Sequence, residues 1–286
     1  MNEAVTIATI AVTLVLMFIA CYFDWRCREI PNTVWAILGA AGLILTAISI
    51  DHWDIRYIMM LAGSVMILID ILWDVDRPRW MSISYYIIML VLFLYPMLSA
   101  FDDPVVKRLS VIPFCFVIFY LLFLLGVVRG GADAKCLMVL GMAFQIYPTV
   151  GDIPLIHIPS GDISLIIAFP ISILFHAALF SFVWLFWVII KKMYRKKDPI
   201  EMYTLSWYKM SIAEARRSFV WPKQDVVNGM IVNVKGIPED GALDRLEQAG
   251  AKDVWVTPMI PFMIPITVAL VFVIFIGNLL FIPFGF

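Results

Sequence analysis

Arg129-Gly130-Gly131-Ala132-Asp133-Ala134-Lys135 is the stretch on which the reading of this chain turns. It separates two apolar runs, Leu109 to Val128 and Cys136 to Val150, and the first is long enough to cross a bilayer. An aspartate at such a junction stands where hydrocarbon meets water, and ionisable groups at membrane depth are costly and, by default, functional candidates. The glycine pair lets backbone approach closely or take a positive φ that a side chain would forbid. Glycines and an acid also make an ordinary helix start, because Asp is a good N-cap. What adds weight to Asp133 is a second aspartate, Asp24, at the end of the first hydrophobic run.

Of the 286 residues, 63% are hydrophobic and only 15% charged, with a mean hydropathy of +0.94. A soluble domain does not have that balance, so the expected fold is an all-α polytopic membrane protein. The net charge of -1 says nothing about nucleic acid, but no basic recognition motif is present, so no nucleic-acid partner is expected and membrane lipid forms the surroundings. Cys21, Cys27, Cys115 and Cys136 are scattered, with no C-x-x-C pair. They supply neither a zinc site nor a disulfide framework and read as small packers at helix ends. No metal and no cofactor is expected. The run Ala4 to Phe23 follows Asn2-Glu3 rather than a basic segment, so it reads as a retained transmembrane helix, not a cleaved signal.

Eight spans are expected, at about 4–23, 32–50, 56–73, 82–100, 109–128, 134–150, 163–190 and 259–283. Arg26, Arg28, Arg77, Arg79, Arg129, Lys135 and the cluster Lys191 to Lys197 fall on one set of loops. The positive-inside rule puts that set in the cytoplasm and both termini outside, in a multi-pass cell-membrane topology. Asp24 and Asp133 then share the cytoplasmic boundary. Residues 191–258 form the one sizeable polar segment. Strand-like content in Val226 to Val234, a short helix over Glu239 to Ala249 and a strand over Asp253 to Thr257 suggest a small cytoplasmic α/β insert. The expected division is a membrane core over 1–150, with about six helices, a further helix over 151–190, the insert over 191–258, and a last helix over 259–286. Lys191 to Lys197 reads first as a stop-transfer signal and second as a site for anionic headgroups. Pro258, Pro261 and Pro265 are spaced to break or kink the first turns of the last span.

The first loop reads Asp24-Trp25-Arg26-Cys27-Arg28-Glu29-Ile30-Pro31-Asn32, and Pro31 suits the first turn of the helix that follows. If helices one and six are neighbours, Asp24 and Asp133 meet at one membrane face. Two adjacent carboxylates in a low dielectric do not both ionise cheaply, so such a pair holds one proton near neutral pH. The ionised member draws a proton from water and the protonated one donates to a carbonyl oxygen. That is the minimum equipment for hydrolysing a peptide bond without a metal or a covalent intermediate. Asp70 and Asp74 lie one turn apart on one expected helix face, with Arg77 in reach of Asp74; they read as a local ion-paired helix end or as substrate-binding acids. His176, inside the seventh run, is expected to hydrogen-bond a neighbouring helix.

These residues resemble a known family. Asp24 followed by Arg28-Glu29-Ile30-Pro31-Asn32, with Gly130-Gly131-Ala132-Asp133-Ala134-Lys135 later, is similar to the type IV prepilin peptidases. The archaeal branch, which includes the preflagellin peptidases, matches best. The resemblance covers residues 1–150 in motif order, while 151–286 exceed the compact six-helix core of the family. It implies an aspartyl endopeptidase whose catalytic pair is Asp24 and Asp133. Gly130, Gly131, Ala132, Lys135, Ile30, Pro31 and Asn32 would shape the site. Ala132 stands where the second glycine of the Gly-x-Gly-Asp motif is found, a form usual in archaeal relatives. The implied partners are pilin-like or flagellin-like precursors, cut at the cytoplasmic face to remove a short basic leader. No cysteine-rich zinc loop is present, so peptidase activity alone is expected. The competing reading is a cation-coupled transporter in which Asp24, Asp70 and Asp133 bind the ion; it expects an internal repeat, and the sequence has none.

Overall fold

The computed structural model describes residues 2–73, 77–128, 130–156, 166–195, 207–234, 236, 238, 241–259 and 261–284. Within these, 184, 185, 187–189, 191–195, 283 and 284 are described by backbone alone. The chain divides into two compact units, one of Met1–Ala178 with Phe262–Phe286, the other of Leu179–Pro261.

In the first unit α1 spans Glu3–Cys27, opened by the Asn2 side chain, which accepts from the Ala4 amide. Among its buried positions, Thr6, Thr9, Thr13, Met17, Ala20 and Asp24 fall three or four apart, with Leu16 beside them, so they form one stripe facing the protein. The helical period therefore carries Asp24 onto the inward face. Thr9 spends its hydroxyl on the Val5 carbonyl at 2.8 Å, which removes the cost of a bare polar group in that stripe. Next come α2 (Asn32–Ile48), α3 (Ile55–Leu72), α4 (Arg79–Ser99) and α5 (Pro104–Leu124). Asp103 caps α5 through the Val105 and Val106 amides and also accepts from the Tyr57 hydroxyl at 2.6 Å, tying α5 to α3.

The short helix α6 (Gly131–Ala143) is buried at every position from Cys136 to Ala143, the pattern of a helix surrounded by others. It packs on α2 and α5. A methyl on Gly42 of α2 would lie 2.8 Å from the Ala143 Cα, so the two backbones touch, as small residues permit in membrane bundles. Gln145, the polar residue of the sixth run, is buried and accepts from the Thr46 hydroxyl of α2 at 3.1 Å.

Among the described residues, four helices, α1, α3, α4 and α5, are long and apolar enough to cross a membrane. The other expected spans differ in form. The sixth run is helical only as far as Ala143; Phe144 turns away at φ -127 and ψ 85. The seventh run begins as helix at Phe169 in α7 (Phe169–Arg195), and residues 157–165 lie outside the described set. The eighth is α10 (Met263–Phe275), 13 residues long, followed by Gly277 at φ 112 and a 3-10 turn over Leu279–Phe284. Glycine permits that positive φ, and it ends the helix well before 283. The prolines do not kink α10: Pro258 closes a strand, Pro261 precedes the helix, and Pro265 sits in its first turn, where a missing amide costs little. Of the basic cluster, Lys191, Lys192 and Arg195 lie on the last turns of α7, while Lys196 and Lys197 fall outside the described residues.

His176 makes its hydrogen bonds within α7 and beyond α10. Nδ1 bonds the Ser172 carbonyl at 2.7 Å, and Nε2 accepts from the Leu279 amide at 3.3 Å. A carbonyl needs a donor and an amide needs an acceptor, so the ring is the neutral tautomer protonated at Nδ1. Nearby, Asn278 donates to both the Tyr147 and Ser172 hydroxyls, at 3.0 and 2.6 Å. These bonds tie the end of α10 into the first unit.

In the second unit β1 (Tyr208–Ser211), β5 (Asp253–Pro258) and β2 (Val220–Pro222) form an antiparallel sheet in the order β1-β5-β2. β5 alternates in burial, with Val254 and Val256 inward. They meet Leu246 of α9 (Ala242–Gln248), Ile212 and Ala215 of α8 (Ile212–Ala215), and Val220. The strand-like content expected over Val226 to Val234 takes the form of a hairpin, β3 (Gln224–Val227) and β4 (Met230–Asn233). Asn228 and Gly229 turn between them at φ 52 and φ 77, the geometry that makes Asn-Gly a hairpin signal. The expected helix is confined to α9, with residues 239 and 240 outside the described set.

Asp225 of β3 accepts two bonds from the Arg245 guanidinium, at 2.8 and 2.7 Å, and this holds its carboxyl below the usual carboxylate range. A depressed folded pKa stabilises above the unfolded value, about 3.9, and the contribution is lost as pH falls through the folded one. Arg245→Met should therefore destabilise this unit by about 1–2 kcal/mol at pH 7, less than a buried pair because Arg245 is partly exposed. Hydrogen exchange of the β3–β4 amides in the full chain should show that loss near neutrality and a shrinking difference in acid. An equal difference at pH 3 and pH 7 would refute the assignment.

Candidate active site

Asp24 ends the inward stripe of α1 and is 9% exposed. Its Oδ2 accepts from the Met263 amide, the first of α10, at 3.1 Å. Its Oδ1 lies 3.9 Å from Nη1 of Arg28. Arg28 has the left-handed conformation, φ 59, and its amide bonds the Asp24 carbonyl at 3.2 Å. Non-glycine residues adopt that region sparingly; here it folds the chain back so that the guanidinium returns to the carboxylate one turn earlier.

Asp133 is the third residue of α6 and is half-buried. The N-cap is Gly130, at φ -83 and ψ 122, so the capping position belongs to the glycine and not to the aspartate. Neither motif glycine has a positive φ. The role that fits Gly130 is close approach, since a methyl there would overlap Oδ2 of Asp133. Gly131 has room, its nearest neighbour being Phe123 at 3.9 Å. Asp24 and Asp133, far apart in sequence, stand near enough for the charge of one to act on the other. Cys21, one turn before Asp24, bonds the Met263 carbonyl and the Thr267 hydroxyl at 3.3 and 3.0 Å. Cys136, one turn after Asp133, contacts Sδ of Met17 at 3.6 Å. These two cysteines lie on the helix faces that carry the acids, packed against α10 and α1 respectively.

The two sequence motifs meet directly. Nζ of Lys135 donates to Oδ1 of Asn32 at 3.0 Å, and Asn32 donates to the Leu72 carbonyl at 3.5 Å. Pro31 is the N-cap of α2, at φ -60 and ψ 137, one residue ahead of the first turn expected for it. Arg129 lies outside the described residues. A cavity of about 640 Å³ opens between the motifs, lined by Arg28, Ile30, Asn32, Ala132, Lys135 and Asp70 among others. The expected pairing of Asp74 with Arg77 falls on a residue outside the described set. α3 stops at Leu72, and Trp73 leaves the helix at φ -89 and ψ 97. Arg77 bonds Oδ1 of Asp70 at 3.1 Å and stacks over Trp73 and Tyr85. Tyr86 donates to Oδ2 of the same acid at 3.1 Å. Asp74 lies outside the described residues.

Met263 is the contributor that the sequence reading missed. It is 239 residues from Asp24 and acts through its backbone, which leaves no mark on residue type; the prolines on either side of it are the sole local signal.

Residues 201–279 match the family model of the archaeal peptidase A24 C-terminus, type II. A preflagellin peptidase of Methanococcus voltae is 26% identical over 94% of this chain and 94% of its own length. One of Methanocaldococcus jannaschii is 27% identical over 92% of this chain and 91% of its own length. One of Methanococcus maripaludis is 26% identical over 92% of each. The likeness read from residues 24–32 and 130–135 thus extends over more than nine-tenths of the chain, which resembles the archaeal preflagellin peptidases.

Proposed function

We propose that this chain is a membrane aspartyl endopeptidase that removes the leader peptide from flagellin-like or pilin-like precursors, with Asp24 and Asp133 as its catalytic pair. The observation that carries the reading is their convergence from α1 and α6 to within electrostatic reach, beside a cavity lined by both motifs. One carboxylate takes a proton from water as the water oxygen bonds to the scissile carbonyl carbon. The other, protonated, gives its proton to the carbonyl oxygen. On collapse the C–N bond breaks, the first acid protonates the leaving amine, and the second recovers a proton from the diol. The cycle closes with both acids as they began. Asp70 would face the substrate from the cavity wall. In the membrane the chain would cross eight times, with the site at the cytoplasmic face and both termini outside, the arrangement that its loop charges favour.

The test is incubation of the purified protein with a panel of flagellin-like and pilin-like precursors, read by product mass. Cleavage at one bond ahead of the hydrophobic segment is expected; intact precursors throughout would sink the proposal. Because this chemistry needs no Lewis acid, turnover should persist in strong chelator. Loss of turnover restored by zinc alone would mean a different mechanism.

A further inference from the structure

α10 begins at Met263, and its first turn is unusual in its donors. The first amides of a helix have no partner inside it. Here Pro265 has no amide at all, Ile266 bonds back to the Phe262 carbonyl at 3.2 Å, and the Met263 amide is given to Oδ2 of Asp24. Asp24 therefore caps a helix that lies at the other end of the sequence. A carboxylate at a helix N-terminus is favoured over a carboxylic acid, both by the amide bond and by the helix dipole.

The groups around Asp24 divide by sign. Arg28 approaches Oδ1 from the turn after α1, and the Met263 amide holds Oδ2 from α10. Asp133 faces it from α6, and the Cys21 thiol lies one turn below on α1, engaged with Met263 and Thr267. The cation and the backbone amide in this set address Asp24, while the Cys21 thiol is taken up by the Met263 carbonyl and the Thr267 hydroxyl. Among the described residues no hydrogen bond reaches the Asp133 carboxylate, which rests against Gly130.

Resting on the reading of Asp24 and Asp133 as a catalytic pair, we infer that the amide at the start of α10 fixes Asp24 as the proton-accepting member. Met263 is then a positioning residue, and Asp133 is the member that carries the shared proton. The bond also sets direction: with Oδ2 held, Oδ1 is the oxygen left to meet water. The last helix is thereby part of the site rather than an appendage to it.

The test removes one hydrogen. A proline at 263 would also delete the amide, but it disfavours the helical backbone of Phe262, φ -70 and ψ -18. An amide-to-ester replacement at residue 263 of the full chain, by incorporation of the α-hydroxy acid, deletes the donor and keeps the side chain. The same replacement at Ile264 serves as the control. With a flagellin precursor as substrate, the ester at 263 should lower kcat about 10- to 100-fold with KM little changed. It should also move the acidic limb of the kcat profile up by about one pH unit, and the control should do neither. An ester at 263 with the parent's kcat and pH profile would overturn the inference. So would a loss of kcat with no movement of the acidic limb, which is what a merely structural bond produces. If Asp24→Asn or Asp133→Asn keeps activity, the pair itself is wrong whatever the ester does, so the two failures are distinguishable.

Discussion

Asp24→Asn and Asp133→Asn should each reduce precursor cleavage by about 10³-fold or more while the protein accumulates normally. Asparagine keeps the size of the side chain and an acceptor oxygen, so the Met263 amide retains a partner at position 24. What is lost is the ionisable group. Without it no proton is drawn from water at one position, or none is delivered to the carbonyl oxygen at the other. The double variant should be about as inactive as either single one, because groups that act as a unit lose their whole effect with the first removal. Asp70→Asn should keep measurable turnover and weaken mainly KM, since Asp70 lines the cavity and is engaged by Arg77 and Tyr86. The assay is cleavage by membranes matched for protein level. Appreciable activity in either Asp24→Asn or Asp133→Asn would end the carboxylate-pair reading, and selective loss in Asp70→Asn would move the chemistry to the third helix.

The two acids are legible in the sequence because polar residues at the ends of apolar runs are few, and each has a physical cost that demands a reason. The stripe from Thr6 to Asp24 is legible for the same reason as any helix face: its spacing is three or four. Other features depend on information that residue type does not carry. Gly277 and the 3-10 turn break the last apolar run in two, yet hydropathy averages straight across them. Leu72 ends α3 two residues after Asp70, and Arg77, beyond that stop, comes back to bond Asp70. The strand-like content on both sides of Asn228-Gly229 is legible as β-propensity, and the Asn-Gly pair carries a strong local hairpin signal. Met263 belongs to a third kind, a long-range backbone contact that no periodicity announces. The consequence is an asymmetry: the two acids are readable one by one, while the contact that holds Asp24 is written in the packing of α1 against α10.

Gly130→Ala should fold well and cleave poorly, and Gly131→Ala should do neither harm. The backbone at Gly130, φ -83 and ψ 122, is one that any residue adopts, so alanine brings no torsional strain there. Its methyl would meet the end of the Asp133 side chain, chiefly Oδ2 and then Cγ at 2.8 Å. A carboxylate is free to swing aside, so the stability cost is small. Swinging aside is nevertheless the whole loss of function. A displacement of about 1 Å in a reacting group is enough for roughly a 10²-fold fall in rate. At Gly131 the added methyl meets only Phe123, at 3.9 Å, an ordinary contact. Inside the helix alanine is favoured over glycine by roughly 0.5–1 kcal/mol, so Gly131→Ala should match or exceed the parent in stability at equal activity. Ala132 already shows that a side chain fits at the next position. The measurement is initial cleavage rate beside thermal stability for the two variants and the parent. Parent-like turnover in Gly130→Ala would show that Asp133 is not held by contact with this glycine. An inactive Gly131→Ala would show that a glycine is needed at 131 for something other than space.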